Sequence, residues 1–300
     1  EDESVLEGSA KFTIARADGE EFDEGMPVVG NYTVSVSGYD AQNYDIKYKE
    51  NSFEVTRYKV EIEASDIVNA GTAWSKSDFA PTLPTGHTFE GTLAMEASDV
   101  GTYRSDDVEQ EGKFSWTVAP RVLKGEADMT KNFEFATVVE VKVDAIGFEI
   151  GQINGYSAEY TGKAQTLGKG IEVANSEELE DFKIVYGLSE DDMSESIPTA
   201  TNVGEYPVYF KISAKNHSDY SGSYSAKITK AQNEIAAKGE WHTYAYGENV
   251  DWANNLTAKF GTIELKEGQS TTVNTADSTF SFEVYVPEGD NWLGAEYTVT

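Results

Sequence analysis

The sequence Val-Gly-x-Tyr occurs three times in this chain, as Val29–Tyr32, Val100–Tyr103 and Val203–Tyr206, and it leads into strand-like runs such as Tyr32–Val36 and Pro207–Ile212. Thr279–Val286 repeats the alternating run without the Val-Gly. A second element follows at a near-constant distance: Tyr44 lies 12 residues beyond Tyr32, Tyr220 lies 14 beyond Tyr206, and Trp292 lies 12 beyond Phe280. Each of these aromatics is preceded by Asn or Asp, and two share an aromatic-x-Gly, in Tyr220–Gly222 and Trp292–Gly294. A self-similar unit recurring along one chain means a tandem array of small modules. The residue types fit that role. Gly permits a tight entry or a positive φ before a strand. Tyr buries its ring while its hydroxyl finds a partner at the rim, and Asn before Tyr suits a turn.

Three hundred residues exceed one ordinary domain and make two to four the expectation. An apolar content of 39%, with 17 Tyr and 14 Phe, fills several small cores and favours strands. Lys11–Ala15, Tyr32–Val36, Tyr44–Tyr48 and Ser52–Thr56 each alternate apolar and polar residues, the pattern of half-buried antiparallel strands. Turn formers stand between them, at Asp18-Gly19, Glu24-Gly25 and Ser37-Gly38. Helical signal is confined to Asn175–Phe182, where a capping residue precedes acidic first-turn residues for one or two turns. The expected fold is therefore all-β: tandem immunoglobulin-like β-sandwich units, with β-grasp-like units as the alternative.

Module boundaries follow the closing strands. The expected segments are 1–57, a partial repeat without its opening strand; 58–144; 145–231, the most complete copy; and 232–300. The second segment carries about thirty residues between Tyr103 and Asn132-Phe133 where the others carry about a dozen, including the strand-like Gly112–Val118. Such extra length is a natural place for a specialised surface. Closing strands run almost directly into opening strands, so a semi-rigid, elongated array is expected.

These motifs resemble the MBG-type repeats of bacterial surface proteins. The third segment matches best, through Tyr160–Gly162, Phe182–Gly187, Val203–Tyr206, Asp219–Gly222 and Ala226–Ala231. The first segment resembles the second half of the same repeat, through Ser37-Gly38, Asn43–Tyr48 and Ser52–Thr56. The resemblance implies a large secreted or wall-attached, adhesin-like bacterial protein, with no catalytic residues to carry over. The opening Glu1–Ser4 lacks a signal-peptide pattern and no sorting signal closes the chain, so a trimmed piece of something larger is expected.

A net charge of −30 excludes non-specific nucleic-acid binding, which needs basic residues to displace counterions, and opposes docking on anionic lipid. The absence of cysteine excludes disulfides, thiolate zinc sites and thiol catalysis. No run approaches 18 apolar residues, so no spanning helix is expected. His87, His217 and His242 fall in different segments, which opposes a shared zinc site. The acidic clusters Asp106-Asp107 and Glu190–Asp192 lack the spaced loop that calcium requires in EF-hands, and solvated loops are the simpler reading. No nucleophile elbow, phosphate loop or His-based triad is present, so an enzyme is not expected. Asn31, Asn216 and Asn255 begin glycosylation sequons that carry no meaning in a bacterial chain. Lys–Asn cross-links would suit a wall stalk but leave no mark in sequence.

Five tryptophans over four modules approach one core aromatic each. Trp116 in the insert and Trp252 after Asn249–Asp251 are the better-exposed candidates for stacking on sugar. The expected role is a structural or adhesive stalk segment of a cell-surface or secreted protein. The alternatives are a carbohydrate- or mucin-binding module and an accessory region of a secreted glycosidase. A monomer meeting host or cell-wall glycans or proteins, with no cofactor, completes the expectation.

Overall fold

Alternation becomes strand almost everywhere it occurs. The computed structural model describes residues 6–20, 27–239, 241–274 and 279–300, and these contain twenty-two strands and one four-residue α-helix. The turn former Glu24-Gly25 lies outside the described residues. The chain divides into two compact units, Glu1–Ile146 and Gly147–Thr300.

The first unit begins with a three-stranded antiparallel sheet of β1 (Glu7–Arg16), β2 (Gly30–Asp40) and β3 (Asn51–Val55), with β2 in the centre. Two expectations are corrected here. Ser37-Gly38 is not a turn: it sits inside β2, where Gly38 at φ 95° faces Gly8 at φ 99° across a register shift. A Cβ on Gly8 would come within 2.3 Å of the Gly38 carbonyl oxygen, so both glycines serve a β-bulge. Tyr44–Tyr48 is not a strand either. It is loop, pinned where the Tyr48 hydroxyl donates to the Tyr39 carbonyl at 2.7 Å and accepts from the Tyr39 amide at 2.8 Å.

A two-layer sandwich follows. Its strands are β4 (Tyr58–Asn69), β5 (Trp74–Lys76), β6 (His87–Met95), β7 (Gly101–Arg104), β8 (Phe114–Lys124), β9 (Ala127–Asp128) and β10 (Phe133–Asp144). One sheet runs β4-β10-β7 and the other β5-β6-β8-β9. The alternation in Tyr58–Ile62 and Val138–Val143 turns Val60, Ile62, Val139, Val141 and Val143 inward against Trp74, Leu93, Met95 and Val122 of the facing sheet. The residues read as an insert are therefore not an appended surface. Strand β8 pairs with β6 along most of its length and supplies the buried Val122.

The second unit opens with β11 (Tyr156–Glu159), β12 (Gln165–Thr166), β13 (Lys183–Ser189), β14 (Asp192–Ser194), β15 (Thr199–Ala200), β16 (Gly204–Ser213) and β17 (Tyr220–Thr229). The main sheet is ordered β11-β17-β16-β13-β14, with β11 parallel to β17 and the other neighbours antiparallel. Strands β12 and β15 form a small second sheet. This order, with a parallel opening strand beside the closing strand, is that of variable-type immunoglobulin sheets. The segment expected to be helical is a single 3-10 turn, Ser176–Glu178. Asn175 makes no side-chain cap; it supports the turn by adopting φ 54° itself.

The remaining strands are β18 (Ile235–Ala237), β19 (Leu256–Ala258), β20 (Glu264–Leu265), β21 (Phe282–Val286) and β22 (Ala295–Val299). Strands β20-β21-β22 form one antiparallel sheet and β18-β19 another. Their core gathers Phe282, Val284, Val286, Leu256 and Ile235.

Candidate functional site

The repeated residues converge on the joints between consecutive segments. In all three Val-Gly-x-Tyr copies the Tyr hydroxyl donates back to the carbonyl four residues earlier. Tyr103 donates to Asp99 at 2.9 Å, Tyr206 donates to Asn202 at 2.8 Å, and Tyr32 donates to Val28. A Tyr at the start of a strand bonded to upstream backbone is the tyrosine corner of immunoglobulin-type sandwiches. The motif's Gly has a second reason besides conformation. Gly101 and Gly204 are not at positive φ; a Cβ on Gly204 would press on the Tyr206 ring at 3.3 Å. Gly there makes room for the ring to fold back.

The turn so fixed presents the Val amide to the next segment. The Val29 N–H donates at 3.0 Å to Oδ1 of Asn132, 103 residues ahead, and the Asn132 amide donates back to the Pro27 carbonyl at 3.3 Å. The second unit repeats this. The Val203 N–H donates at 2.7 Å to Oδ1 of Asn291, 88 residues ahead, and Nδ2 of Asn291 donates to Oδ1 of Asn202 at 3.3 Å. Asn132 and Asn291 are the Asn of Asn-Phe and Asn-Trp, read from sequence as turn formers. Their pairing with Val was not legible, because nothing local marks a contact of that separation. The recurrence of Asn at one phase in two modules was the available signal.

The joint in the second unit is reinforced. The Ala231 N–H donates to the Asn291 carbonyl at 3.1 Å, and the Leu293 N–H donates to the Ala231 carbonyl at 2.9 Å. Tyr160 of the third segment packs 5.2 Å from Phe260, which stacks on Trp292 at 5.9 Å and 18°. Trp292 thus lies at the joint, half-buried, donating its indole N–H to the Pro287 carbonyl at 3.2 Å.

Trp116 and Trp252 lie in different units, each half-buried against its own core. Trp116 sits 5.9 Å from Phe79 and 6.4 Å from Phe89. Trp252 opens the helix Trp252–Asn255, capped by Asp251 accepting from the Asn254 amide, where a loop was expected. The acidic clusters are engaged locally. Asp106 pairs with Arg104, whose hydrogen bond holds its carboxyl below the ordinary range, and Asp107 accepts from the Glu109 amide. Among the described residues, no three metal-ligating side chains are grouped.

A cleft of about 380 Å³ lies between Gln152–Tyr156 and Gly168–Glu172. The Tyr224 hydroxyl near it is buried without a partner, and desolvation raises its pKa. That hydroxyl is sealed under Gly168, where a Cβ would stand 2.2 Å from it, so it presents no donor to the cleft.

No family model matches the chain, and no curated protein matches it. Similar solved structures include immunoglobulin domains 1–5 of Sidekick-1, 9% identical over 98% of this chain and 74% of that one, with a TM-score of 0.23. Cadherin domains 1–4 of protocadherin gamma B7 are 8% identical over 98% and 91%, at 0.24. The N-terminal four immunoglobulin domains of Dscam1 isoform 9.44 are 9% identical over 96% and 90%, at 0.20. At these scores the likeness carries no argument, and the fold rests on the sheets described above.

Proposed function

We propose that this chain is a non-catalytic structural or adhesive segment of a secreted or wall-attached bacterial protein, built from four modules of the MBG type. The observation that carries this reading is the repeated joint. One module presents a backbone amide from a Tyr-braced turn, and the next grips it with an Asn carboxamide, once in each compact unit. Chemistry concentrated at joints, and not in a cleft lined by converging catalytic groups, suits a chain whose task is to hold modules in register. The strongly acidic composition keeps such a surface soluble through self-repulsion.

Pulling the chain from its ends in an optical trap tests the reading. Discrete unfolding steps are expected, and Asn132→Ala and Asn291→Ala should each lower the force of one early step. Forces unchanged by both substitutions would remove the joint as the basis of the proposal. The Trp116 and Trp252 positions support the alternative of a carbohydrate-binding module. Retention on a glycan array that is lost in Trp116→Ala or Trp252→Ala would put that alternative in place of the stalk.

A further inference from the structure

The first sheet is amphipathic and uncovered. Its pairing places Phe12, Ile14, Tyr32, Val34, Val36, Phe53 and Val55 on one face, and Lys11, Thr13, Thr33, Ser35, Ser52 and Glu54 on the other. Only Tyr32 on the apolar face is fully buried; Phe12 is 70% exposed and Phe53 40%. Strand β3 is an edge.

The third segment shows what the same face looks like when complete. Aligning Tyr32 with Tyr206 preserves the register, since Gly30 pairs with Val55 as Gly204 pairs with Ile228. Phe12 then matches Tyr186, which is 6% exposed, and Phe53 matches Ala226, which is 0% exposed. Two things make the difference. Strand β11 lies parallel against the closing strand, with Tyr156 opposite Ala226 and Ala158 opposite Ile228. Phe148, Ile150 and Ile171 cover the face from the second layer. The second segment has the same parallel partner: β4 sets Asp66 and Val68 opposite Val141 and Val143, the positions that match Phe53 and Val55.

We propose that the first sheet is a receptor for strand addition. The open edge of β3 takes the opening strand of another module of this kind in parallel register, and the residues flanking that strand cover the Phe12–Phe53 face. Main-chain hydrogen bonds along β3 supply affinity, and the apolar side chains facing Phe53 and Val55 supply register. The inference stands whether or not the chain serves as a stalk, because it rests on sheet geometry alone.

The test uses the whole chain with a synthetic peptide of its residues 147–174, which contain β11, Phe148, Ile150 and Ile171. Expected results are saturable binding, slowed hydrogen exchange at Asn51–Val55, and displacement of the apolar dye ANS. The substitution Phe12→Lys, at a side chain exposed enough to leave folding intact, should weaken binding at least tenfold. A scrambled peptide should do nothing. Exchange at Asn51–Val55 unaltered by the peptide overturns the proposal. So does a chain that sediments alone as a dimer and dissociates with Phe12→Lys, since the face then belongs to a second copy.

Discussion

The first sheet and the β13-β16-β17 sheet of the third segment have the same strand order, the same Val-Gly-x-Tyr phase and the same closing-strand register. One keeps most of its apolar face in water and the other has a dry core. The difference teaches that alternation and local motifs specify strands and register, while burial is decided by chain elsewhere. Val34 and Val36 are as apolar by sequence as Val208 and Phe210, yet only the latter pair meets a second layer.

The largest effects should come from breaking the covered side. Phe210→Ala removes a fully buried ring and should cost about 3–5 kcal/mol. Phe12→Ala, on the uncovered face, should stay within about 0.5 kcal/mol, as exposed substitutions do. Chemical denaturation of the whole chain followed by residue-resolved exchange checks both, and equal costs would end the comparison. Next comes Gly222→Ala. Its Cβ would stand 2.6 Å from the Phe210 ring, so overpacking should cost about 1–3 kcal/mol and shift the Phe210 resonances. This gives the shared aromatic-x-Gly a packing reason that its turn-like composition conceals.

A smaller effect should be common to both sheets. Tyr32→Phe and Tyr206→Phe each delete one hydroxyl bond to backbone and should cost about 0.5–1.5 kcal/mol apiece. A loss confined to one sheet would show that the corner needs a covered core to matter. Least in size is a pH effect at the β1–β2 turn. The hydrogen bond from Arg16 holds the Asp18 carboxyl below its ordinary value of 3.8. A depressed folded-state value adds stability above 3.8 that is lost as pH falls through the lower, folded value. NMR titration should place the Asp18 midpoint below 3.8, and Arg16→Gln should raise it toward that value.

Much of this was legible. The repeat located the strands at Lys11–Ala15, Ser52–Thr56 and Pro207–Ile212 and gave Tyr a braced hydroxyl. What was hidden shares one physical cause, dependence on distant chain. Ser37-Gly38 reads as a turn until Gly8 arrives opposite and makes a bulge. Tyr44–Tyr48 alternates like a strand but finds no strand to pair with. The length between Tyr103 and Phe133 reads as ornament until β8 docks on β6. Of the joints, the Tyr and Gly were visible and the Asn was seen, but only folding revealed what the Asn holds.

The joint's use of a main-chain amide has an evolutionary consequence. Asn132 and Asn291 grip the peptide N–H of Val29 and Val203, so the side chain at that position takes no part in the bond. The second segment carries both halves of the device, Asn132 at one place and Val100–Tyr103 at another. A gene duplication that copies such a segment copies plug and socket together. Copy number can then drift by unequal crossing-over without a compensating mutation at each new boundary.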